Sequence, residues 1–111
     1  MSTIFGKIIK GDLPADKVYE NERIIVIKDI NPKAPVHLLL ILKKEYPSLQ
    51  EVPKEDLSII QEVIHVAQDL AKKFDVADNY RFLTNIGTKA GQSVFHLHFH
   101  LIGGKSLGDM A

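Results

Sequence analysis

Three histidines stand at alternate positions near the C-terminal end of the chain, in the run His96-Leu97-His98-Phe99-His100-Leu101-Ile102. Successive side chains of a β-strand point to opposite faces, so the three imidazoles are expected to share one face and the apolar side chains the other. A neutral imidazole near pH 7 is a nucleophile, a proton acceptor and a metal ligand. The pattern predicts a strand over 95–102 with a core face and a chemically active face.

Spacing alone leaves three interpretations of these histidines open. The first is an exposed edge strand that uses histidine as an ordinary polar residue. The second is a metal site, although Cα atoms four residues apart on a strand lie about 13 Å from each other and zinc–nitrogen bonds are about 2.0–2.1 Å long. One ion would therefore take two of the three, with His37. The third is catalysis, in which one imidazole is nucleophile or base and its neighbours orient it and bind anionic oxygens.

A polar loop with two glycines, residues 85–93, directly precedes the histidines. Gly87 and Gly91 allow the backbone to come close to a ligand, and backbone N–H groups in such a loop can form an anion-binding nest. A loop of this kind alone is usually only a turn. Next to an alternating histidine strand, it favours a phosphate site with a nucleophile beside it.

The elements that must position these residues fit one domain, since the chain has 111 residues. Apolar spacing behind Ser2 or Thr3 as a cap predicts a short helix, and β-branched or alternating runs predict strands. The predicted elements are a helix from Ile4 to about Lys10, hairpin strands at 18–20 and 23–29, a strand buried on both faces at 36–42, a helix at 53–74, and strands at 80–85 and 95–102. Antiparallel strands with one long helix give an α+β fold.

Composition excludes several classes of protein. With 14 basic and 14 acidic residues, the chain has no broad electrostatic surface for duplex nucleic acid or an anionic membrane. It has no cysteine, which excludes disulfides and thiolate chemistry. It lacks a signal-peptide pattern and any apolar stretch near the roughly 18 residues of a bilayer span. These features predict a cytoplasmic protein with neither a nucleic-acid nor a membrane partner.

The block from Gly91 to Gly104 resembles the signature of the histidine triad proteins, specifically their nucleotide-binding (Hint) branch. Residues 4–15 and 29–37 resemble the N-terminal helix and the ribose loop of the same branch, in the same order. The resemblance covers nearly the whole chain. It implies a single domain over 1–111, in which one long and one short helix accompany a five-stranded antiparallel sheet that extends across a homodimer.

The same resemblance implies a nucleoside phosphoramidate hydrolase that needs no cofactor and no obligatory metal. Its ligand would be a purine nucleoside monophosphate or the corresponding phosphoramidate, such as an AMP–amine or AMP–lysine conjugate. Aminoacyl-adenylates, which are mixed anhydrides, are a further substrate class that the resemblance implies. His98 would attack the α-phosphorus and form a covalent histidyl-nucleotide that water then hydrolyses. His100 would hold phosphate oxygens, His96 would orient His98, and His37 would complete the polar cluster.

Other positions are implied to contact the nucleotide. Ser93 would donate to the departing amine, and Asp29 would accept both ribose hydroxyls. Gly91 and Gln92 would line the phosphate, Asn85 would contact the phosphate or the ribose, and Phe99 would be a further nucleotide contact. The slot for the base would comprise Phe5, Ile8, Ile27 and Ile30. Simpler interpretations remain open, since Asp29 could cap a turn and Ile8 and Ile27 could be plain core. His65 on the long helix has no assigned role.

Two departures from the family pattern affect specificity. The segment Leu42-Lys43-Lys44-Glu45 replaces a proline and a histidine, and the tail after Gly104 lacks the C-terminal tryptophan of many relatives. Leaving-group preference is therefore left open. Cleavage of dinucleoside polyphosphates, nucleotidyl transfer and a non-catalytic nucleotide-binding or scaffold role are the alternatives. Related transferases carry glutamine in place of His100, which argues against transfer.

Overall fold

The computed structural model describes residues 3–110 as a five-stranded antiparallel sheet with a helix packed on each face. The elements are α1 (Ile4–Lys10), β1 (Lys17–Glu20), β2 (Ile24–Lys28), β3 (Val36–Leu42), α2 (Ser58–Lys73), β4 (Tyr80–Leu83) and β5 (His98–Gly103). Short 3-10 turns occupy Leu49–Glu51, Lys54–Asp56 and Thr88–Ala90. The strand order is β1-β2-β3-β5-β4, and every neighbouring pair is antiparallel. The predicted α+β class is confirmed.

Strand β3 has the predicted bounds and is buried on both faces because it serves two separate cores. Leu38 and Leu40 belong to the larger core, which α2 covers. Leu39 and Ile41 point to the opposite face and pack with Phe5 of α1. The alternation of side chains along a strand thus separates a large apolar core from the face that carries the histidines.

The short helix α1 begins and ends where its caps predict. Thr3 is its N-cap, since its hydroxyl accepts the N–H of Gly6 at 3.0 Å. Gly11 follows at φ +85°, a left-handed conformation that glycine adopts without strain. The alternative cap, Ser2, lies outside the described residues.

The long helix α2 begins at Ser58, five residues later than its apolar spacing predicts. Tertiary contacts hold the preceding segment in a 3-10 turn, because the Asp56 carboxylate accepts from the Tyr46 hydroxyl at 2.7 Å and from Lys44 Nζ at 3.2 Å. Within residues 3–110, no helix is long and apolar enough to cross a membrane.

Strand β5 begins at His98, so the prediction that it starts at residue 95 is wrong by three residues. Its ladder with β3 starts where His98 pairs with Ile41. After β3 the chain turns away, and the N–H of Leu97 donates instead to the main-chain carbonyl of Tyr46 at 2.7 Å. His96 therefore precedes the strand. Strand β4 likewise ends at Leu83, two residues early.

Candidate active site

The sheet brings three histidines together on the face that α1 covers. His98 and His100 lie at alternate positions of β5, and His37 lies on the adjacent β3. The ring centroids of His98 and His100 are 5.3 Å apart, and those of His37 and His100 are 5.2 Å apart. Leu97, Phe99 and Leu101 are buried in the core on the other face, as the alternation predicts.

A main-chain carbonyl fixes the tautomer of His98. Its Nδ1 lies 2.7 Å from the carbonyl oxygen of His96. Because a carbonyl oxygen only accepts, Nδ1 carries the proton and the neutral ring keeps its lone pair on Nε2. Within residues 3–110, that Nε2 atom has no hydrogen-bond partner. His98 thus presents an unprotonated nitrogen, the form that acts as a nucleophile.

A second set of hydrogen bonds fixes His37 and His100. The main-chain N–H of Lys33 donates to His37 Nδ1 at 3.0 Å, so the proton of the neutral His37 ring is on Nε2. That N–H donates to His100 Nδ1 at 2.9 Å. The proton of a neutral His100 ring is then on its Nε2. The site therefore places a lone pair on His98 beside an N–H donor on His100.

All three imidazoles are held in the neutral form. Burial lowers the pKa of His98 below its ordinary value of 6.5, against the opposing effect of its hydrogen bond to His96. Burial, with the neighbouring His98 and His37, lowers the pKa of His100 to about 4. Burial also lowers the pKa of His37, although Asp29 opposes the shift. At pH 7 the site presents ring lone pairs and N–H donors without imidazolium charge.

His96 does not share the exposed side of this cluster. Its ring is fully buried, with Nε2 at 2.6 Å from the carbonyl oxygen of Leu42 and Nδ1 at 2.8 Å from the hydroxyl of Thr3. The expected shared face is observed, since the centroid of the His96 ring lies 6.1 Å from that of Phe5 in α1. Full burial makes His96 unavailable to a ligand, so it is not a reactive group of that face. It contacts His98 through its main-chain carbonyl.

Asp29 has two partners within the protein. Its Oδ1 accepts from the N–H of Asn31 at 2.8 Å, which is the turn cap that its sequence context also allowed. Its Oδ2 lies 3.3 Å from His37 Nε2. The side chain is 18% exposed, so the carboxylate lies at the border between the histidine cluster and the surface.

The loop before the histidines is braced from within. Gln92 is buried: its Oε1 accepts from Gly87, its Nε2 donates to the carbonyls of Pro47 and Val94, and its own N–H donates to Gly87. Gln92 therefore holds the loop and offers no free donor to a phosphate, contrary to expectation. The N–H groups of Ala90 and Gly91 are also bonded inside the loop, so the N–H groups of Gly87, Ala90, Gly91 and Gln92 are not available to an anion.

The other predicted nucleotide contacts, Ser93, Asn85 and Phe99, differ in their exposure and in the face of the sheet to which they point. Ser93 is exposed. The side chain of Asn85 lies beside Gly91, since a Cβ atom on Gly91 would be 3.5 Å from Asn85 Nδ2. The Phe99 side chain points away from the histidines and stacks on Phe82 at 5.2 Å, because it is on the core face of β5. That ring makes no contact on the site face.

The residues predicted to form the base slot differ in exposure. Phe5 and Ile27 are buried in the smaller core, Ile8 is half-buried against it, and Ile30 is 89% exposed. Ile27 thus serves as core, the simpler interpretation that its sequence allowed. His65 is exposed on α2, far from these residues in the fold and without a role in the site.

Asp29, His37 and His100 form the one group of potential metal ligands found within residues 3–110, with ligand atoms within 4.8 Å of one another. The hydrogen bonds do not fit that use. A metal on His37 Nε2 would need its lone pair and would move the proton to Nδ1, where the N–H of Lys33 already points. This donor set fits a chain of hydrogen bonds rather than a metal centre.

The departures at Leu42 and Glu45 lie beside the site without entering it. The N–H of Leu42 donates to the carbonyl of Leu97 at 3.3 Å, a bond that a proline could not make. Its carbonyl accepts from His96. Glu45 is exposed. Through these two bonds, Leu42 supports the segment that leads into β5.

Comparisons with known proteins agree with this fold. A family profile described as scavenger mRNA decapping enzyme C-terminal binding matches residues 2–110. A HIT-like protein of Chlamydia pneumoniae is 48% identical over 98% of this chain and 99% of its own length. A 14 kDa zinc-binding protein of Zea mays is 39% identical over 95% of this chain and 84% of its own length.

Among solved structures, a HIT family hydrolase from Clostridium thermocellum superposes with a TM-score of 0.94 at 44% identity, covering 98% of this chain and 96% of that one. The chain belongs to the histidine triad (HIT) family, as the blocks around its histidines indicated.

The lowered histidine pKa values predict how stability depends on pH. Because the pKa of His100 is about 4 in the folded chain and 6.5 ordinarily, the unfolded chain binds more protons between these values. The free energy of unfolding should be steady above about pH 6.5 and fall as the pH is lowered towards 4, with at most about 3 kcal/mol from His100.

Urea unfolding across this pH window measures the effect. His100→Gln should flatten part of the decline, whereas His65→Gln, which changes an exposed histidine, should follow the wild-type curve. Parallel curves for wild type and His100→Gln would contradict the assignment.

Proposed function

We propose that this protein hydrolyses purine nucleoside phosphoramidates through a covalent nucleotide on His98. The observation that carries the proposal is the lone pair on His98 Nε2, which the hydrogen bond from Nδ1 to the His96 carbonyl leaves free to attack. Family membership supports the same chemistry, since a similar solved protein is described as a hydrolase.

The reaction divides one difficult displacement into two easier ones. His98 Nε2 attacks the α-phosphorus, a nitrogen–phosphorus bond forms, and the bond from phosphorus to the amine breaks. The amine takes up a proton as it leaves, with the exposed Ser93 hydroxyl as the proposed donor. Water then attacks phosphorus and returns a proton to Ser93, the bond to His98 breaks, and the products are a nucleoside monophosphate and the free amine.

His100 would stabilise the charge that develops on the phosphate oxygens. Its Nδ1 accepts from His37, so its Nε2–H is available to donate to an oxygen beside the nucleophile. The chain that begins at the N–H of Lys33 holds this donor in place before the substrate arrives. A preorganised neutral donor assists without the cost of an unpaired buried charge.

The nucleoside would lie between Asp29 and the surface of the smaller core. The partly exposed carboxylate of Asp29 can accept from ribose hydroxyls, and Ile8 and Ile30 retain apolar surface for a base. A dinucleoside polyphosphate would present the same α-phosphate with a different leaving group. Comparing kcat/KM for an adenosine phosphoramidate and a diadenosine polyphosphate separates the two substrates.

Replacing the nucleophile should abolish turnover while preserving binding. We expect His98→Ala to lower kcat on an adenosine phosphoramidate by about 1,000-fold or more, and AMP should still bind because the ribose and phosphate contacts remain. The measurement pairs steady-state kinetics with calorimetry of AMP binding, in EDTA-treated protein.

His65→Ala is the matched control for loss of a histidine and should retain activity. Turnover by His98→Ala within tenfold of wild type would exclude His98 as nucleophile. Loss of wild-type activity in EDTA, restored by stoichiometric zinc, would favour metal-assisted hydrolysis instead.

The ribose role of Asp29 can be separated from its role in the turn. Asp29→Asn keeps an oxygen for the N–H of Asn31 but removes the charge, so affinity for AMP should fall about 10- to 100-fold. Affinity for the 2′,3′-dideoxy analogue, which lacks both hydroxyls, should change much less. Calorimetry with the two ligands measures the difference, and equal losses would place Asp29 outside the ribose site.

We also propose that the sheet continues across a homodimer through β4. The sheet has two edges, β1 and β4. Edge β1 carries Lys17 and Glu20 and contains a register shift between Lys17 and Tyr19, features that discourage pairing with another strand. Edge β4 has four half-buried residues and no shift in its register with β5.

Sedimentation should then show a two-chain particle at micromolar concentrations. Hydrogen exchange provides an internal control, because amides of β4 should become more protected as concentration rises while amides of β1 do not. A monomer throughout this range, or protection confined to β1, would contradict a β4 interface.

A further inference from the structure

The N-cap of α1 makes a second hydrogen bond that helix capping does not require. The hydroxyl of Thr3 accepts the N–H of Gly6 at 3.0 Å, and the same oxygen lies 2.8 Å from Nδ1 of His96. The two residues are 93 positions apart, so the contact joins the first helix to the segment that leads into β5.

The direction of this bond follows from the other side of the His96 ring. Nε2 lies 2.6 Å from the carbonyl oxygen of Leu42, which can only accept, so Nε2 carries the proton. Nδ1 of the neutral ring must then accept, and the Thr3 hydroxyl is its donor. Thr3 uses its lone pair for the helix cap and its proton for His96.

His96 needs such an anchor because no strand holds it. It precedes β5, its side chain is fully buried, and its main-chain carbonyl receives the Nδ1–H of His98 at 2.7 Å. Rotation of its ring would shift that carbonyl. The proton on His98 would then no longer be confined to Nδ1.

We propose that Thr3 is a positioning residue for His98, acting through the buried ring and main-chain carbonyl of His96. Helix α1 therefore forms part of the catalytic apparatus and is more than a cover for the smaller core. A second contact from the same helix supports this, since the Phe5 ring meets the His98 ring edge-on with centroids 4.8 Å apart. The consequence for turnover rests on the proposed function, whereas the consequence for the His98 tautomer does not.

Three substitutions of Thr3 separate its role as the helix cap from its role as the hydrogen-bond donor to His96. Thr3→Ser keeps the acceptor for Gly6 and the proton for His96. Thr3→Asp keeps a good N-cap acceptor but has no proton to donate to the neutral His96 ring. Thr3→Val loses both functions. Ser48→Ala is the matched control, since Ser48 caps a 3-10 turn elsewhere by accepting from Gln50.

The first readout is the protonation of the imidazole nitrogens, measured by long-range ¹H–¹⁵N correlation of protein with ¹⁵N-labelled histidine. In wild type, Thr3→Ser and Ser48→Ala, His98 should show a protonated Nδ1 and an unprotonated Nε2, and His96 the reverse. In Thr3→Asp and Thr3→Val, His96 should keep the proton on Nε2, because that atom still donates to Leu42, whereas His98 should show exchange between tautomers because the His96 ring and carbonyl are no longer anchored.

The second readout is kinetic, on an adenosine phosphoramidate, with folding verified at the assay temperature. Thr3→Asp and Thr3→Val should lose about tenfold or more in kcat with KM nearly unchanged, because a misplaced nucleophile affects the reaction more than ground-state binding. Thr3→Ser should remain within about threefold of wild type.

Wild-type kcat and an intact His98 pattern in Thr3→Asp would overturn the proposal and leave Thr3 as a helix cap only. If Thr3→Val fails to fold, the comparison of Thr3→Asp with Thr3→Ser still decides. A wild-type protein without turnover would contradict the proposed function, and the tautomer comparison would then test the positioning role alone.

Discussion

The hydrogen bond from His98 Nδ1 to the main-chain carbonyl of His96 is the interaction on which the site depends. A side-chain acceptor could rotate or change its protonation, but a carbonyl oxygen only accepts, so its bond determines which nitrogen of His98 keeps the lone pair. The same logic recurs at Leu42 and Lys33, whose main-chain groups fix the tautomers of His96 and His37. The backbone thereby fixes, before any ligand binds, which ring nitrogens carry a lone pair and which carry a proton.

The sheet has two faces, and the apolar core on one of them offsets the free-energy cost of burying histidines on the other. The larger core, covered by α2, contains most of the buried apolar side chains, including Leu97, Phe99 and Leu101 from the segment that carries the histidines. The opposite face can therefore hold His37, His98 and His100. Burial there keeps the imidazoles neutral, and their hydrogen bonds to one another and to the backbone offset the cost of burying polar rings.

Sequence predicted the fold and the members of the site better than the bonds between them. Periodicity located β3 and α1, and the family blocks named His37, His98 and Asp29. The sequence did not predict where β5 begins, because the start of that strand depends on the turn of the chain after β3. Nor did it predict the inward Gln92 or the bond from Thr3 to His96, since bonds between residues distant in sequence leave no local pattern.

The stereochemical course at phosphorus tests the covalent mechanism most directly. A nucleoside phosphoramidothioate of known configuration at the α-phosphorus, hydrolysed in ¹⁸O-labelled water, gives a chiral phosphorothioate whose configuration reports the number of displacements. Attack by His98 followed by attack by water makes two inversions, so the account predicts overall retention. Inversion would show that water attacks the substrate directly and would contradict a histidyl-nucleotide intermediate.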